Sequence, residues 1–264
     1  MTESGSRYVL ADEADDAERA RLDVLEAYYD PITQRHLERI GVGEGWRCLE
    51  VAAGGGSIAR WLAERVGSSG SVVATDMNTR FLTGLPDNVE VRRHDIQTDD
   101  LEADYDLVHC RGLLMHLPDP GAALSRMVSA LRPGGWALVD EVDFGLHTVS
   151  GHPEAAWATG TWQRFLTALA EAKVMDAYVG RKLPGLVAEA GLDSLGGEAV
   201  STFATQGAGS EWDVIRLSLQ ALRPATAAAG MSEAEYDRMA GIMSDPSVMW
   251  IGISAASAWG RQPG

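Results

Sequence analysis

Short apolar segments alternate with helical patterns between residues 47 and 144, and this alternation restricts the fold more than any other feature of the sequence. Helical patterns such as SIARWLAERV and GAALSRMVSAL repeat apolar residues every three to four positions. The apolar segments, each short and most of them rich in Val and Leu, are RCLEVA, SVVATD, VEVRRHD, YDLVHC and GWALVDEVDF. Strict strand–helix alternation is typical of a parallel sheet with right-handed crossovers. The sequence therefore predicts an α/β, Rossmann-like doubly wound sheet.

The flanking regions have a looser pattern. A first N-terminal helix is expected to end where Asp30 meets Pro31, with ITQRHLERI forming a second helix capped by Asp30. After residue 150, helical patterns surround two predicted strands, LGGEAVSTFATQ and VMWIGISAASAWG. We expect residues 1–40 to form an N-terminal helical cap and residues 41–264 the main domain, with cap insertions near 150–178 and 211–245.

The charge balance excludes several classes of partner. The net charge is −16 and only two lysines are present, so the chain lacks the basic surface that nucleic acids or anionic membranes need. No apolar run approaches the roughly 20 residues of a membrane span, and the acidic N-terminus does not resemble a signal peptide. Cys48 and Cys110 lie in predicted strands and are expected to be buried free thiols. These features predict a cytoplasmic location.

Three consecutive glycines follow the first predicted strand. Gly54, Gly56 and Ala59 meet the G-x-G-x-x-G/A pattern, and Asp76 follows Gly54 by 22 residues, as in dinucleotide-binding proteins. However, Glu50 ends the strand just before the turn, and its carboxylate would repel a pyrophosphate. The same carboxylate would instead attract a ligand that carries an ammonium and a sulfonium group.

Two further carboxylates follow the next strands. Asp76 ends the second strand and Asp95 follows the third, so with Glu50 they are expected at one edge of the sheet, where such folds bind ligands. Asp76 can accept hydrogen bonds from both hydroxyls of a ribose, and Asp95 can accept one from an adenine amino group.

Five segments together resemble the class I S-adenosylmethionine-dependent methyltransferases, in particular the group that includes the ubiquinone and menaquinone methyltransferases. They are LEVAAGGG, VVATD, RHDI, YDLVHCRGLLMHLPDP and LRPGGWALVDE, between residues 49 and 141. The resemblance implies a seven-stranded sheet with the last strand antiparallel and a helical cap over its carboxyl edge.

The resemblance also implies S-adenosyl-L-methionine as the cofactor and a set of residues that bind it. This chain has Ala52 where the family usually has glycine, which restricts the backbone at that position. The N-terminal tyrosines Tyr8, Tyr28 and Tyr29 are further candidates for covering the cofactor. The cofactor-binding residues we expect are Glu50, Ala52, Gly54, Gly56, Asp76, Met77, His94, Asp95, Ile96, Cys110, Arg111 and His116.

Methyl transfer needs a general base only where the acceptor must lose a proton. The candidates are His116, Glu141 and His147, whereas His109 is expected to be a packed, hydrogen-bonded core residue. No metal site is expected. The acceptor is expected to be a small organic metabolite, secondary metabolites included, methylated at oxygen, nitrogen or carbon.

Two other functions stay open at this point. One is an NAD(P)-dependent oxidoreductase, and the other is a cofactor-bound cyclase or binding protein of the same fold that transfers no methyl group. For any of them we expect a small-molecule acceptor, no nucleic acid and no membrane, and a homodimer is a possible assembly.

Overall fold

A seven-stranded sheet forms the centre of the computed structural model, which describes residues 15–205 and 210–264. Its order is β3-β2-β1-β4-β5-β10-β7, and β10 runs antiparallel to both of its neighbours. The prediction of a seven-stranded sheet with the last strand antiparallel is therefore confirmed. Its strands are β1 (Arg47–Val51), β2 (Ser71–Asp76), β3 (Val89–Arg93), β4 (Tyr105–Arg111), β5 (Leu131–Asp143), β7 (Asp193–Val200) and β10 (Ser254–Arg261).

Helices cover both faces of this sheet. In α2, buried Ile58, Leu62 and Val66 recur at helical spacing and pack on one face, whereas Leu49 and Val51 of β1 point into the core on the other. Apolar side chains on both faces are what a sheet covered on both sides requires. The helices are α1 (Asp15–Ile40), α2 (Ser57–Val66), α3 (Pro120–Ser129), α4 (Ala155–Glu171), α5 (Leu183–Glu189), α6 (Ser210–Leu222) and α7 (Glu233–Met243).

The N-terminal region is one helix, not two, so the predicted break at Asp30 is wrong. Pro31 lies inside α1, although an interior proline removes one backbone hydrogen bond and costs about 3 kcal/mol. Asp30 does not cap a new helix because its carboxylate bonds Ser57 Oγ at 2.9 Å and pairs with Arg111 at 2.9 Å. Buried Tyr29 and Leu37 pack on either side of the proline. Residues 1–14 of the predicted N-terminal cap, Tyr8 included, lie outside the described residues.

Each of the two strands predicted after residue 150 is split into two shorter strands in the structure, which the sequence did not indicate. One half of each, β8 (Phe203–Thr205) and β9 (Met249–Ile251), joins β6 (Thr148–Ser150) in a small antiparallel sheet of order β6-β9-β8. The division comes at facing positions, where Gly252 N donates to Thr202 O at 2.8 Å. The antiparallel pair β7–β10 of the large sheet therefore continues beyond this point as the pair β8–β9 of the small sheet.

Helix α6 packs on α1, and residues of both lie above the carboxyl edge of the sheet, whereas α7 packs on α4. This arrangement confirms the expected helical cap. The proposed domain limits at residue 40 and the two insertion ranges stay predictions. Among the described residues, no helix has the length and apolar character needed to cross a bilayer.

Candidate cofactor and acceptor site

A cavity of about 570 Å³ lies at the carboxyl edge of the large sheet, between the strand ends and the cap. Most of the predicted cofactor-binding residues line it; Gly56 and Cys110 do not. Cys110 is fully buried within β4. The predicted residues on its wall are Glu50, Ala52, Gly54, Asp76, Met77, His94, Asp95, Ile96, Arg111 and His116.

The turn after β1 places glycine backbone on the cavity wall. Gly54 and Gly56 have positive φ angles of 57° and 83°. Ala52 adopts φ 58° as well, a left-handed conformation that costs an L-residue other than glycine about 1–2 kcal/mol. At Gly55 a Cβ atom would lie 2.1 Å from Glu26 Oε1 of α1, so the end of the Glu26 side chain would have to move aside for a larger residue. The turn therefore forms in spite of Ala52, and side chains of α1 lie against it.

Asp76 holds this turn at the end of β2. Its carboxylate oxygens accept from Gly54 N at 3.0 Å and from Asn78 N at 2.8 Å. Burial raises the pKa of Asp76, although the backbone N–H groups that it accepts from act in the opposite direction. Each oxygen keeps a lone pair that a ligand hydroxyl could use.

A buried ion network crosses the sheet beside the turn. His109 is fully buried and contacts Glu50 Oε2 through Nδ1 at 2.7 Å and Asp140 Oδ2 through Nε2 at 3.0 Å. Burial alone would lower the pKa of His109, but Glu50 and then Asp140 raise it to about 9. The structure thus shows His109 as the packed, hydrogen-bonded residue expected from the sequence. Glu50 and Asp140 also line the cavity.

Helix α1 is attached to the same edge by polar contacts. Thr33 Oγ1 donates to Asp140 Oδ2 at 2.7 Å, and Arg111, on the cavity wall, pairs with Asp30. Tyr29 lines the cavity as well, whereas the Tyr28 hydroxyl lies 3.4 Å from Thr202 Oγ1. The N-terminal helix is therefore one wall of the site.

The residues after β3 form a more exposed part of the wall. Asp95 Oδ1 accepts from Gln97 N at 2.9 Å, and the neighbouring Ile96 is buried. Both ring nitrogens of His94 are buried and have no hydrogen-bond partner among the described residues. Unsatisfied polar atoms on a cavity wall are available to a ligand.

Glu141 is the predicted catalytic residue that the structure places best. It lies two residues before the end of β5 on the cavity wall, and its Oε1 accepts from Leu113 N at 2.9 Å and Leu114 N at 2.5 Å. Its Oε2 is buried and has no partner among the described residues. Burial raises the pKa of Glu141 to about 8, against the opposing effect of these backbone N–H groups. A carboxyl group with such a pKa can exchange a proton near neutral pH.

The two histidine candidates have different positions. His116 lines the cavity, and burial, with a smaller effect of Arg21, lowers its pKa to about 4. His147 is not on the cavity wall; it stacks on Trp250 with ring centroids 5.1 Å apart and meets Trp162 at 5.5 Å. Burial lowers the pKa of His147 to about 3. The structure therefore does not bring His147 to the place where an acceptor could bind.

Sequence reasoning missed several wall residues. Asp140 was not singled out, although strand alternation within GWALVDEVDF places it on the face that carries His109. The apolar part of the wall was not predicted residue by residue, because it depends on how the cap helices dock. It includes Leu22, Leu25, Leu113, Phe144, Met175, Val214 and Leu217.

Residues 13–195 match the family model described as a methyltransferase domain. The chain belongs to the methyltransferase domain family. Among its relatives, methyltransferase str2 of Strobilurus tenacellus is 33% identical over 185 residues, which are 67% of this chain and 63% of the relative. A ubiquinone biosynthesis O-methyltransferase of Hydrogenovibrio crunogenus is 29% identical over 118 residues, 41% of this chain and 48% of the relative. The chain thus spans less than two thirds of the length of these methyltransferases.

Solved methyltransferase structures share the fold. A protein of Galdieria sulphuraria provisionally assigned as a sarcosine dimethylglycine methyltransferase aligns with a TM-score of 0.57 at 15% identity, covering 94% of this chain and 99% of that one. Phosphoethanolamine N-methyltransferase 2 of Haemonchus contortus, solved with S-adenosylhomocysteine, aligns with a TM-score of 0.52 at 16% identity, covering 93% and 53%. At these identities the comparison establishes the fold of this family member.

Proposed function

We propose that the protein transfers a methyl group from S-adenosyl-L-methionine to a small organic acceptor. One observation carries this proposal: in a member of the methyltransferase family, Glu50 and Asp76 flank a glycine turn on the wall of one cavity. Carboxylates at this position favour a ligand that carries positive charge and ribose hydroxyls over a phosphorylated one. The H. contortus structure with S-adenosylhomocysteine supports the same choice of cofactor.

The wall offers groups for each part of this cofactor. The remaining lone pairs of Asp76 suit the ribose hydroxyls, and Glu50 suits the ammonium of the methionine part. Asp95 and the unpartnered ring nitrogens of His94 suit the adenine edge, beside the apolar side chain of Ile96. The first turn of α2, which begins at Ser57, faces the cavity and suits the carboxylate.

The acceptor is proposed to bind between β5 and the cap. S-adenosylmethionine supplies an already activated methyl group when bound, so the protein's main contribution is to position the acceptor and exclude water. The apolar side chains on this part of the wall suit a largely apolar molecule. Glu141 Oε2 is the group that would orient an acceptor hydroxyl or amine and take up its proton.

Calorimetry with S-adenosylmethionine and S-adenosylhomocysteine tests the cofactor assignment. Removing the charge in Asp76→Asn should weaken binding of both by about tenfold or more, because two ribose hydrogen bonds lose a charged acceptor. Asp193→Asn, an exposed aspartate at the start of β7, serves as the matched control and should bind as the unsubstituted protein does. Tight binding of NAD with no binding of either sulfur compound would disprove the proposal.

Transfer itself is tested with cofactor carrying an isotope-labelled methyl group and a panel of apolar phenols, amines and carboxylic acids. Label recovered in an organic product supports the proposal. If the cofactor binds but its label is transferred to no compound of the panel, the result favours a binding protein without transferase activity.

The other predictions on partners and location stay proposals. Cys48 and Cys110 are buried free thiols, which supports a reducing, cytoplasmic location. The small-molecule acceptor and the homodimer are likewise proposals.

A further inference from the structure

His109 occupies the middle of a row of ionisable groups on one face of the sheet. Glu50, His109 and Asp140 lie on the neighbouring strands β1, β4 and β5, and the imidazole bridges the two carboxylates at 2.7 and 3.0 Å. His109 is completely buried and is not on the cavity wall, whereas both carboxylates are. Any effect of this imidazole on a ligand must therefore be transmitted through Glu50 or Asp140.

The surroundings of the ring favour its cationic form. The carboxylates of Glu50 and Asp140 face its two nitrogens from β1 and β5, so both nitrogens donate when the ring is protonated. Beyond Asp140, α1 contributes the Thr33 hydroxyl as a donor and His36, whose Nδ1 lies 3.9 Å from Asp140 Oδ1. From β10, Ser257 donates to Asp140. Arg111, also on β4, is paired with Asp30 of α1 and does not replace His109 as the partner of Glu50.

We propose that His109 is a positioning residue whose buried imidazolium pairs with the Glu50 carboxylate and keeps it directed at the ammonium of the bound cofactor. The inference rests on the proposed function, because it assigns that ammonium to Glu50. Without the imidazolium, two buried carboxylates would share one region of low dielectric, and one of them would take up a proton near neutral pH. Cofactor binding would then depend on pH in a range where it does not in the unsubstituted protein.

The test compares two probes in His109→Gln. S-adenosylhomocysteine carries the ammonium, and 5′-methylthioadenosine lacks the whole amino acid part. From about pH 7 to about pH 5.5, the ratio of their affinities should fall about tenfold in His109→Gln, as expected for uptake of one proton, and stay within about twofold in the unsubstituted protein. His152→Gln is the matched control and should leave the ratio unchanged, because the His152 ring accepts from Glu154 N and is not on the cavity wall.

A purely structural role would weaken both probes equally, and a ratio that stays constant with pH in His109→Gln would overturn the inference. If the unsubstituted protein binds neither probe, the proposed function fails instead. Should His109→Gln not fold, ¹⁵N NMR of the unsubstituted protein provides the second test. Both ring nitrogens of His109 should remain protonated at about pH 8; a neutral tautomer at that pH would refute the proposal.

Discussion

At the scale of single residues, Glu141 provides the most direct test of acceptor chemistry. Its glutamine variant keeps an oxygen that accepts from Leu113 N and Leu114 N, so the segment that contains these residues should stay in place. The amide cannot, however, take up a proton. With a hydroxyl acceptor found by label transfer, Glu141→Gln should lower kcat by about 10²–10⁴-fold and leave cofactor affinity unchanged. In the unsubstituted protein, kcat should rise with pH around a midpoint near 8, because the carboxylate is the active form. Glu171→Gln, at the exposed end of α4, is the control; equal rates in all three proteins would exclude this role.

Single residues also show how far the sequence could predict the site. Glu50, Asp76 and Asp95 follow from strand ends and spacing, because the carboxyl ends of parallel strands meet at one edge. The environment of His147 could not be predicted, since Trp162 and Trp250 come from distant segments that meet it only after the cap has folded. The backbone of Ala52 follows the family pattern although its side chain disfavours it, so a local preference was overridden by the contacts of the turn.

At the scale of secondary structure, one hydrogen bond joins α1 to the ion network. Thr33→Val keeps the shape of the side chain but removes the donor to Asp140, a charge-assisted bond that contributes about 1.5–3 kcal/mol. Amide hydrogen exchange should become faster in α1 and stay unchanged in β1 and β4. Thr167→Val is the matched control, because in the described part of the chain the Thr167 hydroxyl bonds Gln163 O of α4 and the Tyr178 hydroxyl. Faster exchange throughout the sheet would argue against a local attachment.

The elements themselves were predictable where one periodic pattern covers a whole strand or helix. The five strands from β1 to β5 and helices α2 and α3 lie where the alternation places them. Pro31 and Gly252 show the limit of this reasoning. A proline predicts a helix end unless packing on both sides compensates for its lost hydrogen bond, and a glycine within an apolar run does not reveal that the strand is split there.

At the scale of the whole molecule, buried titratable groups make stability depend on pH in two opposite directions. Lowered pKa values of about 4 for His116 and about 3 for His147 mean that below pH 6.5 the unfolded chain binds protons that the folded protein does not. Stability is therefore lost as pH falls. The pKa values of Glu141 and His109 are raised, to about 8 and about 9. The folded protein therefore keeps a proton on Glu141 above pH 4.5, and one on His109 above pH 6.5, where the unfolded chain releases them. That contribution is lost as pH rises.

These opposing contributions place the maximum of stability near pH 6.5. Between pH 4.5 and 6.5 the two histidines outweigh Glu141 and the smaller opposing contributions of Asp76 and Glu26, whose pKa values burial also raises, so the free energy of unfolding should rise with pH. Above pH 6.5 the falling contributions of Glu141 and His109 dominate. Urea denaturation across this range measures the curve. Each group changes its slope by at most about 1.4 kcal/mol per pH unit, so Glu141→Gln should flatten the alkaline side and His147→Leu the acidic side by up to that amount. A maximum above about pH 8, or slopes that neither substitution alters, would show that these buried groups do not keep the protonation states that their surroundings dictate.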